Sequence, residues 1–359
     1  MSPTSRKRRR RGGSPARAGD ASRRPSTGGT GSRGGTGSKG GAGAFAGLAE
    51  LLPILPITDG LSHPRALQHP DRPVVRLLLG LVLVAMTYLV VPSAVFTTVL
   101  TISFRIRGGG DWDVYLEQGR LGAVPEGLLA SNLGIASLIV VCWAAMRWVN
   151  LAPPGLVLSV VRRLRWGYLA ACAGVALVVF VAIQAVSLLA AGTTLQPQPQ
   201  FWWFVLVVVL TSPFQAAAEE VLFRGFLQQG IGSATRAWWL GVLLTSLLFA
   251  LAHGTQSPAL FVDRFVFGVM AGLLVWRTGG LEAAIGTHVV NNVLAFVLAG
   301  LTSSIAEVRA LQVIDWPKAA VDLGTFAVIA AGCWGLARLW KLQRVTAATP
   351  GLGDRRPIR

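Results

Sequence analysis

The chain has 359 residues, of which 52% are hydrophobic and 14% are charged. Soluble proteins carry about 25% charged residues, so this composition argues against a soluble globular enzyme. Lys and Arg outnumber Asp and Glu by 33 to 16, and the excess is largest in residues 1–76. These figures predict an all-α polytopic membrane protein with a basic N-terminal tail.

The first 72 residues are the most basic part of the chain and include the run RKRRRR at 6–11. We predict that residues 1–72 are a disordered tail and linker rich in Gly, Arg and Ser, because they hold too few apolar side chains for a core. Basic segments that precede a membrane helix attract anionic lipid headgroups. We therefore expect headgroups, and no specific nucleic acid, as partners of the tail. Residues 345–359 are predicted to be a short C-terminal tail.

Apolar runs fill residues 73–344, the predicted membrane domain. A membrane helix needs about 20 apolar residues. On this criterion we predict about eight membrane helices, at 77–104, 127–147, 167–192, 201–223, 237–253, 258–276, 281–302 and 319–340. The Lys and Arg residues of the loops favour the side that carries both termini as the cytoplasmic side. We therefore expect a multi-pass protein of the cell membrane with both termini in the cytoplasm.

Helices four, five and seven of this set carry unexpected polar side chains. Ionisable groups inside a bilayer are costly and usually mark function. The polar residues concerned are Glu219, Glu220, Arg224, His253, His288 and Asn292. Residues four apart share a helix face, so Glu220 can pair with Arg224, whereas Glu219 points about 100° away from that pair. Phe249 and His253 also share a face.

Depth in the bilayer also relates these residues. At a rise of about 1.5 Å per residue, four of them reach a similar level: Glu219, His253, His288 and Asn292. The comparison requires helix four to continue past Arg224 to about Gly232. We therefore predict one site between helices four, five and seven.

Such a set of side chains can hydrolyse an amide bond with a water molecule. Burial raises the pKa of a carboxyl group and suits it to act as a general base near neutral pH. Glu219 and His253 would hold and activate the water, while His288 and Asn292 would donate hydrogen bonds to the oxyanion. No cofactor is required by this scheme. Alternatively, Glu219, His253 and His288 could bind zinc.

Three short motifs carry a family resemblance: EEVLFR at 219–224, FALAH at 249–253 and HVVNN at 288–292. Over roughly residues 200–300 the chain resembles the CPBP family of intramembrane proteases, which contains the type II CAAX prenyl endopeptidases and bacterial Abi-type proteins. The resemblance implies the same four catalytic residues, with Glu220, Arg224 and Phe249 in supporting positions. It also implies a membrane-associated peptide or protein, in some relatives a lipidated one, as the substrate.

Two other classes of function stay open on the sequence alone. Buried carboxylates and histidines also build the proton relays of transporters. A non-catalytic scaffold or immunity protein could keep the same residues for folding. Asp263 and Arg264, near the start of helix six, either pair at a helix interface or line the rim of a cavity. The three cysteines lie in apolar runs and are predicted to be buried free thiols: Cys142, Cys172 and Cys333.

Overall fold

The computed structural model describes residues 55–348, which form α-helices, loops, two short 3-10 turns and two isolated bridge pairs. This confirms the predicted all-α class for that part of the chain. The α-helices there are α1 (Val74–Arg107), α2 (Trp112–Leu121), α3 (Pro125–Ala136), α4 (Leu138–Trp148), α5 (Trp166–Ala191), α6 (Phe201–Glu220), α7 (Gln228–Ala234), α8 (Trp238–Leu251), α9 (Pro258–Thr278), α10 (Glu282–Thr302), α11 (Ile305–Arg309) and α12 (Trp316–Leu339).

Within the described part, seven helical stretches are long and apolar enough to cross a membrane, so the chain is a multi-pass membrane protein. Two of them join consecutive helices, Pro125–Trp148 and Phe201–Ala234. The fifth predicted helix, 237–253, corresponds to α8, which has 14 residues. Its length of about 21 Å is less than the 30 Å thickness of a bilayer core. Seven of the eight predicted membrane helices therefore correspond to helical stretches that can span a membrane, and the remaining one, α8, is a shorter apolar helix.

Helix four of the prediction does continue past Arg224, as the comparison of depths required. A π-helical segment, Val221–Leu227, connects α6 directly to α7. Such segments are rare and often occur at functional sites. This π-helical segment begins directly after Glu219 and Glu220, the two adjacent glutamates of the first motif.

The helices that carry the three motifs pack in one bundle. Helix α10 contacts α5 and α6, α9 contacts α8 and α12, and α3 lies against α1 and α6. Small residues permit close approach: a Cβ on Gly241 of α8 would lie 2.6 Å from the carbonyl oxygen of Gln228. A cluster of buried rings, Phe223, Phe249 and Phe267, fills the space between α8, α9 and the π segment.

Residues 55–72, which the sequence assigned to the linker, pack against the bundle. Ser62 forms an antiparallel bridge with Val345. His63 is fully buried. The side-chain amide nitrogen of Gln229 lies 2.8 Å from Nε2 of the His63 ring. Burial lowers the pKa of His63 to about 3, so the ring is neutral at physiological pH. The rest of the predicted tails, residues 1–54 and 349–359, lies outside the described residues.

Two minor predictions can be compared with the structure. All three cysteines are buried and free, as expected. Asp263 and Arg264 do not form an ion pair with each other within the described part; the Arg264 guanidinium donates to Gln256 Oε1 at 2.7 Å. Successive residues on a helix point about 100° apart, which explains why these neighbours do not meet.

Candidate active site

The centre of the site is a buried group of three charged or polar side chains. Arg224 Nη1 donates to Glu220 Oε1 at 3.1 Å, which is the pair that their spacing predicted. His288 Nδ1 lies 2.8 Å from the same oxygen. Because a carboxylate oxygen can only accept, His288 Nδ1 carries a hydrogen. Glu220 therefore fixes both the orientation and the tautomer of the His288 ring.

Three aromatic rings surround the Arg224 guanidinium, which is fully buried. Its Cζ atom lies 4.4 Å from the ring centre of Phe249, 5.8 Å from that of Phe267 and 5.9 Å from that of Phe223. Its Nε and Nη2 atoms have no hydrogen-bond partner among the described residues. The rings therefore supply cation–π contacts where hydrogen bonds are missing. Phe249 is the ring nearest to the guanidinium.

Glu219 is separate from the Glu220–Arg224 pair, as its position on the helix predicted. Its Oε2 atom lies 3.5 Å from His288 Nε2, so His288 bridges the two glutamates. Its Oε1 atom accepts a hydrogen bond of 2.6 Å from the Nε2 amide of Gln215. Asn292 Nδ2 in turn donates to Gln215 Oε1 at 3.0 Å. Asn292 therefore reaches Glu219 through Gln215 and not directly.

Gln215 is a site residue that the sequence reasoning missed. It lies four residues before Glu219, on the same helix face, and is largely buried. That spacing was the available signal, because residues four apart on a helix are neighbours. The structure adds the reason for its burial, which is that it joins α6 to Asn292 on α10.

His253 lies two residues beyond the end of α8 and not within a helix. Its Nδ1 atom is 2.7 Å from the carbonyl oxygen of Phe249. A carbonyl only accepts, so Nδ1 carries the hydrogen and Nε2 of the neutral ring is an acceptor. His253 is thus held in one tautomer by the first residue of its own motif.

Glu219 and His253 line one cavity of about 440 Å³, together with Phe249 and Leu222. His288 and Asn292 are not among its lining residues. A second cavity of about 450 Å³ shares Tyr88, Leu222 and other residues with the first, and its lining is almost wholly apolar. The two cavities lie beside α1 and α8. The polar site is therefore adjacent to an apolar space of comparable size.

The predicted zinc ligands are Glu219, His253 and His288. Within residues 55–348, no group of three or more His, Cys, Asp or Glu side chains has an arrangement that could hold a metal ion. Glu219 and His288 are close, but the described residues do not bring His253 into one three-ligand group with them. The residues in this arrangement do not fit a three-ligand zinc site, and the chemistry below uses none.

A second buried ion pair lies outside the cavity. Arg165 donates through Nε and Nη2 to the two oxygens of Glu282, at 2.8 and 2.6 Å, and Glu282 is fully buried. Arg165 also donates to the carbonyl oxygens of Thr278 and Gln343. The pair fixes the start of α10, about three helical turns before Asn292. No pattern in the sequence predicts this pair, because the two residues are 117 positions apart.

Comparisons with known proteins agree with the motifs. Residues 198–294 match the family model described as type II CAAX prenyl endopeptidase Rce1-like. Uncharacterized protein YyaK of Bacillus subtilis (strain 168) is 24% identical over 160 residues, or 42% of this chain and 54% of that protein. An uncharacterized 24.3 kDa protein of Escherichia coli is 32% identical over 87 residues, or 23% of this chain and 38% of that protein. No solved structure is significantly similar to the chain.

The chain spans about half of the length of YyaK and less of the Escherichia coli protein. The matching family segment begins just before α6 and ends within α10. It therefore contains all three motifs together with the cavity-lining residues Glu219 and His253. Through this segment the chain is similar to the Rce1-like type II CAAX prenyl endopeptidases, which supports the CPBP resemblance of its motifs.

Proposed function

We propose that the chain is an intramembrane endopeptidase that hydrolyses a peptide bond of a membrane-associated or lipidated peptide. The observation that carries the proposal is that Glu219 and His253, from two different motifs, line the same cavity. A carboxylate and a neutral imidazole nitrogen are both acceptors. Together they can bind the two hydrogens of one water molecule and leave its lone pair for attack on a carbonyl carbon.

In the proposed reaction, the water oxygen attacks the peptide carbonyl while Glu219 takes one proton from the water. The peptide C–N bond then breaks, and Glu219 returns that proton to the leaving nitrogen. The products are a carboxylic acid and an amine. General acid–base catalysis of this kind contributes about 10²- to 10⁴-fold to the rate.

We propose that His288 assists Glu219 from the side that faces Glu220. Its Nδ1 hydrogen is directed at Glu220, and its Nε2 atom lies 3.5 Å from Glu219 Oε2. Once Glu219 is protonated, Nε2 can accept a hydrogen bond from it. Glu220, itself paired with Arg224, stabilises positive charge on the ring.

The oxyanion site is also a proposal. Asn292 uses one of its amide hydrogens on Gln215, which leaves the second for another acceptor. His288 has Nδ1 engaged with Glu220, so a role for it as oxyanion donor requires a change of its contacts. The geometry therefore favours Asn292 over His288 for this role.

The apolar cavity beside the site supports a lipid-attached or membrane-embedded substrate. Its lining residues, including Leu89, Leu227 and Leu248, offer apolar contact to a chain that enters from the bilayer. Burial of apolar surface contributes about 25 cal/mol per Å². We propose that this contact holds the substrate while its peptide segment reaches Glu219.

We also propose that both termini are cytoplasmic. Loops that carry basic residues meet at one end of the bundle, where Arg165 bonds with Gln343 near the C-terminal end of the described residues. Ser62 bridges to Val345 at that end as well. Positive charges on one side of a membrane domain favour the cytoplasm.

The test is turnover by the purified full-length protein in liposomes, with a farnesylated peptide and an otherwise identical non-lipidated peptide as probes. Cleavage is read by mass spectrometry, which also gives the position of the cut. We expect Glu219→Gln and His253→Gln to lower the rate by at least about 100-fold. Glu307→Gln, on the exposed surface of α11, is the matched control and should be fully active.

Equal cleavage by Glu219→Gln and Glu307→Gln would contradict the proposed mechanism. The same liposomes can report proton flux with an internal pH dye. Flux that depends on Glu219 without any cleavage would favour the transporter. If cells that carry Glu219→Gln keep the biological phenotype of the unchanged protein, the non-catalytic scaffold would be favoured.

A further inference from the structure

A third cavity, of about 400 Å³, lies at the opposite end of α1 from Arg107 and away from the catalytic residues. Residues 58–74, the turn before α1, form one wall, and the end of α7 with the following turn forms the other. Backbone and side-chain hydrogen bonds hold the walls together. Leu67 N donates to Ser233 Oγ at 3.2 Å, and Gln68 Nε2 donates to the carbonyl oxygen of Ser233 at 3.3 Å.

Three arginines line this cavity: Arg65, Arg72 and Arg236. No carboxylate of residues 55–348 lies within ion-pair distance of any of them. Asp71 is adjacent in sequence but its side chain is exposed and near His69. The cavity therefore concentrates positive charge that the described residues do not neutralise.

Arg72 is the buried member of the three. It is only 8% exposed, and its Nε atom has no hydrogen-bond partner among the described residues. One of its terminal nitrogens donates to the carbonyl oxygen of Leu67. Burial, and next the nearby Arg76, lower the pKa of Arg72 to about 10, so it stays charged at neutral pH. Burial of a charge without a counter-charge is costly unless a ligand supplies one.

The position of the cavity indicates where that ligand comes from. Val74, the first residue of α1, lines the cavity and is 52% exposed. Its neighbours Val75 and Leu78 are also exposed apolar residues of a membrane-spanning helix. The cavity therefore opens at the level where a membrane helix leaves the lipid, which is the level of phospholipid headgroups.

We propose that this cavity binds a phosphate-bearing anion through Arg65, Arg72 and Arg236. Its source is either the headgroup of an anionic phospholipid or a soluble phosphate, and the first agrees better with the exposed apolar start of α1. Arginine suits such a ligand because its guanidinium group presents several donors to phosphate oxygens. The site is separate from the proposed protease chemistry.

Arg236 allows a clean test. It lies in the left-handed backbone region, at φ 59°, where glycine is unstrained. Arg236→Gly therefore removes the charge without a cost in backbone conformation. Arg162 is the matched control, because it is also an exposed arginine, with φ 62°, and does not line the cavity.

The experiment uses the full-length protein in a neutral detergent. Bound lipid is counted by native mass spectrometry during titration with phosphatidylglycerol, with phosphatidylcholine or with inorganic phosphate, and thermal unfolding is recorded in parallel. We expect phosphatidylglycerol to bind more tightly than phosphatidylcholine. Arg236→Gly should weaken that binding about fivefold, the ratio that corresponds to about 1 kcal/mol per basic residue at an anionic surface. Arg162→Gly should bind as the unchanged protein does.

Each outcome decides the proposal. Binding of phosphatidylglycerol that Arg236→Gly weakens identifies the lipid headgroup as the source. Saturable binding of inorganic phosphate alone, with the same dependence on Arg236, identifies a soluble phosphate. Equal losses in Arg236→Gly and Arg162→Gly would show general surface attraction and overturn the site. Binding of neither phosphatidylglycerol nor inorganic phosphate would overturn it as well.

Discussion

Loss of the Arg224 side chain should destabilise the protein more than loss of any surface arginine. Arg224→Ala leaves Glu220 fully buried, with His288 Nδ1 as its remaining partner at 2.8 Å. Removal of one member of a buried ion pair costs about 3–5 kcal/mol. Because His288 still donates to Glu220, we expect the loss of the ion pair to cost about 3 kcal/mol, the lower end of that range. Loss of the contacts with three rings adds about 1 kcal/mol.

The matched control is Arg277→Ala. The Arg277 guanidinium also lies over an aromatic ring, with its Cζ atom 4.4 Å from the ring centre of Trp276, but the residue is exposed and has no ion pair among the described residues. Its removal should cost less than about 1 kcal/mol. The difference between the two variants therefore isolates the buried pair from the cation–π contact.

Two quantities are measured for each variant: the fraction of protein that remains monodisperse after heating in detergent, and the yield of protein from membranes. Both the monodisperse fraction and the yield should fall in Arg224→Ala, whereas Arg277→Ala should resemble the unchanged protein. In a further variant, Glu220→Gln with Arg224→Met, both charges are absent and most of the stability should return. Equal thermal stability of Arg224→Ala and Arg277→Ala would contradict the expected cost of an unpaired, buried Glu220.

Other predictions concern the site and its support. Gln215→Leu removes the 2.6 Å hydrogen bond to Glu219 and the acceptor of Asn292, so turnover should fall about tenfold and about 1–3 kcal/mol of stability should be lost, as steady-state kinetics and heating would show. Undiminished turnover would argue against a positioning role. Glu282→Ala leaves Arg165 without its carboxylate and should cost about 3 kcal/mol, measured by the same heating assay; an unchanged transition would contradict this. Dialysis against a zinc chelator should leave turnover unchanged, and recovery of lost activity by added zinc alone would contradict the metal-free scheme.

The sequence was sufficient to predict the membrane helices, because apolar composition alone decides which segments enter lipid. The first helix, predicted at 77–104, occupies Val74–Arg107. Helix α2 was missed, since Trp112–Leu121 is short and polar. Helix α8 is shorter than predicted because the chain leaves the helix at Ala252, before His253. Such ends depend on local contacts that hydropathy does not contain.

The site was predictable where its contacts lie within one helix. The Glu220–Arg224 pair follows from their spacing, and the structure has it at 3.1 Å. Contacts between helices could not be derived in the same way. The bridge of His288 to both glutamates, and the bond from Asn292 to Gln215, join α6 to α10 over 68 and 77 positions. They depend on how the two helices rotate against each other.

The most direct test of the central claim is an experimental structure of the Glu219→Gln variant with an uncleaved lipidated peptide bound. We expect the peptide carbonyl to lie in the cavity beside position 219, within reach of a water held by His253 Nε2. We also expect the lipid to lie in the apolar cavity beside Leu227 and Leu248. A peptide bound elsewhere, with position 219 and His253 closed off from it, would contradict hydrolysis at this site.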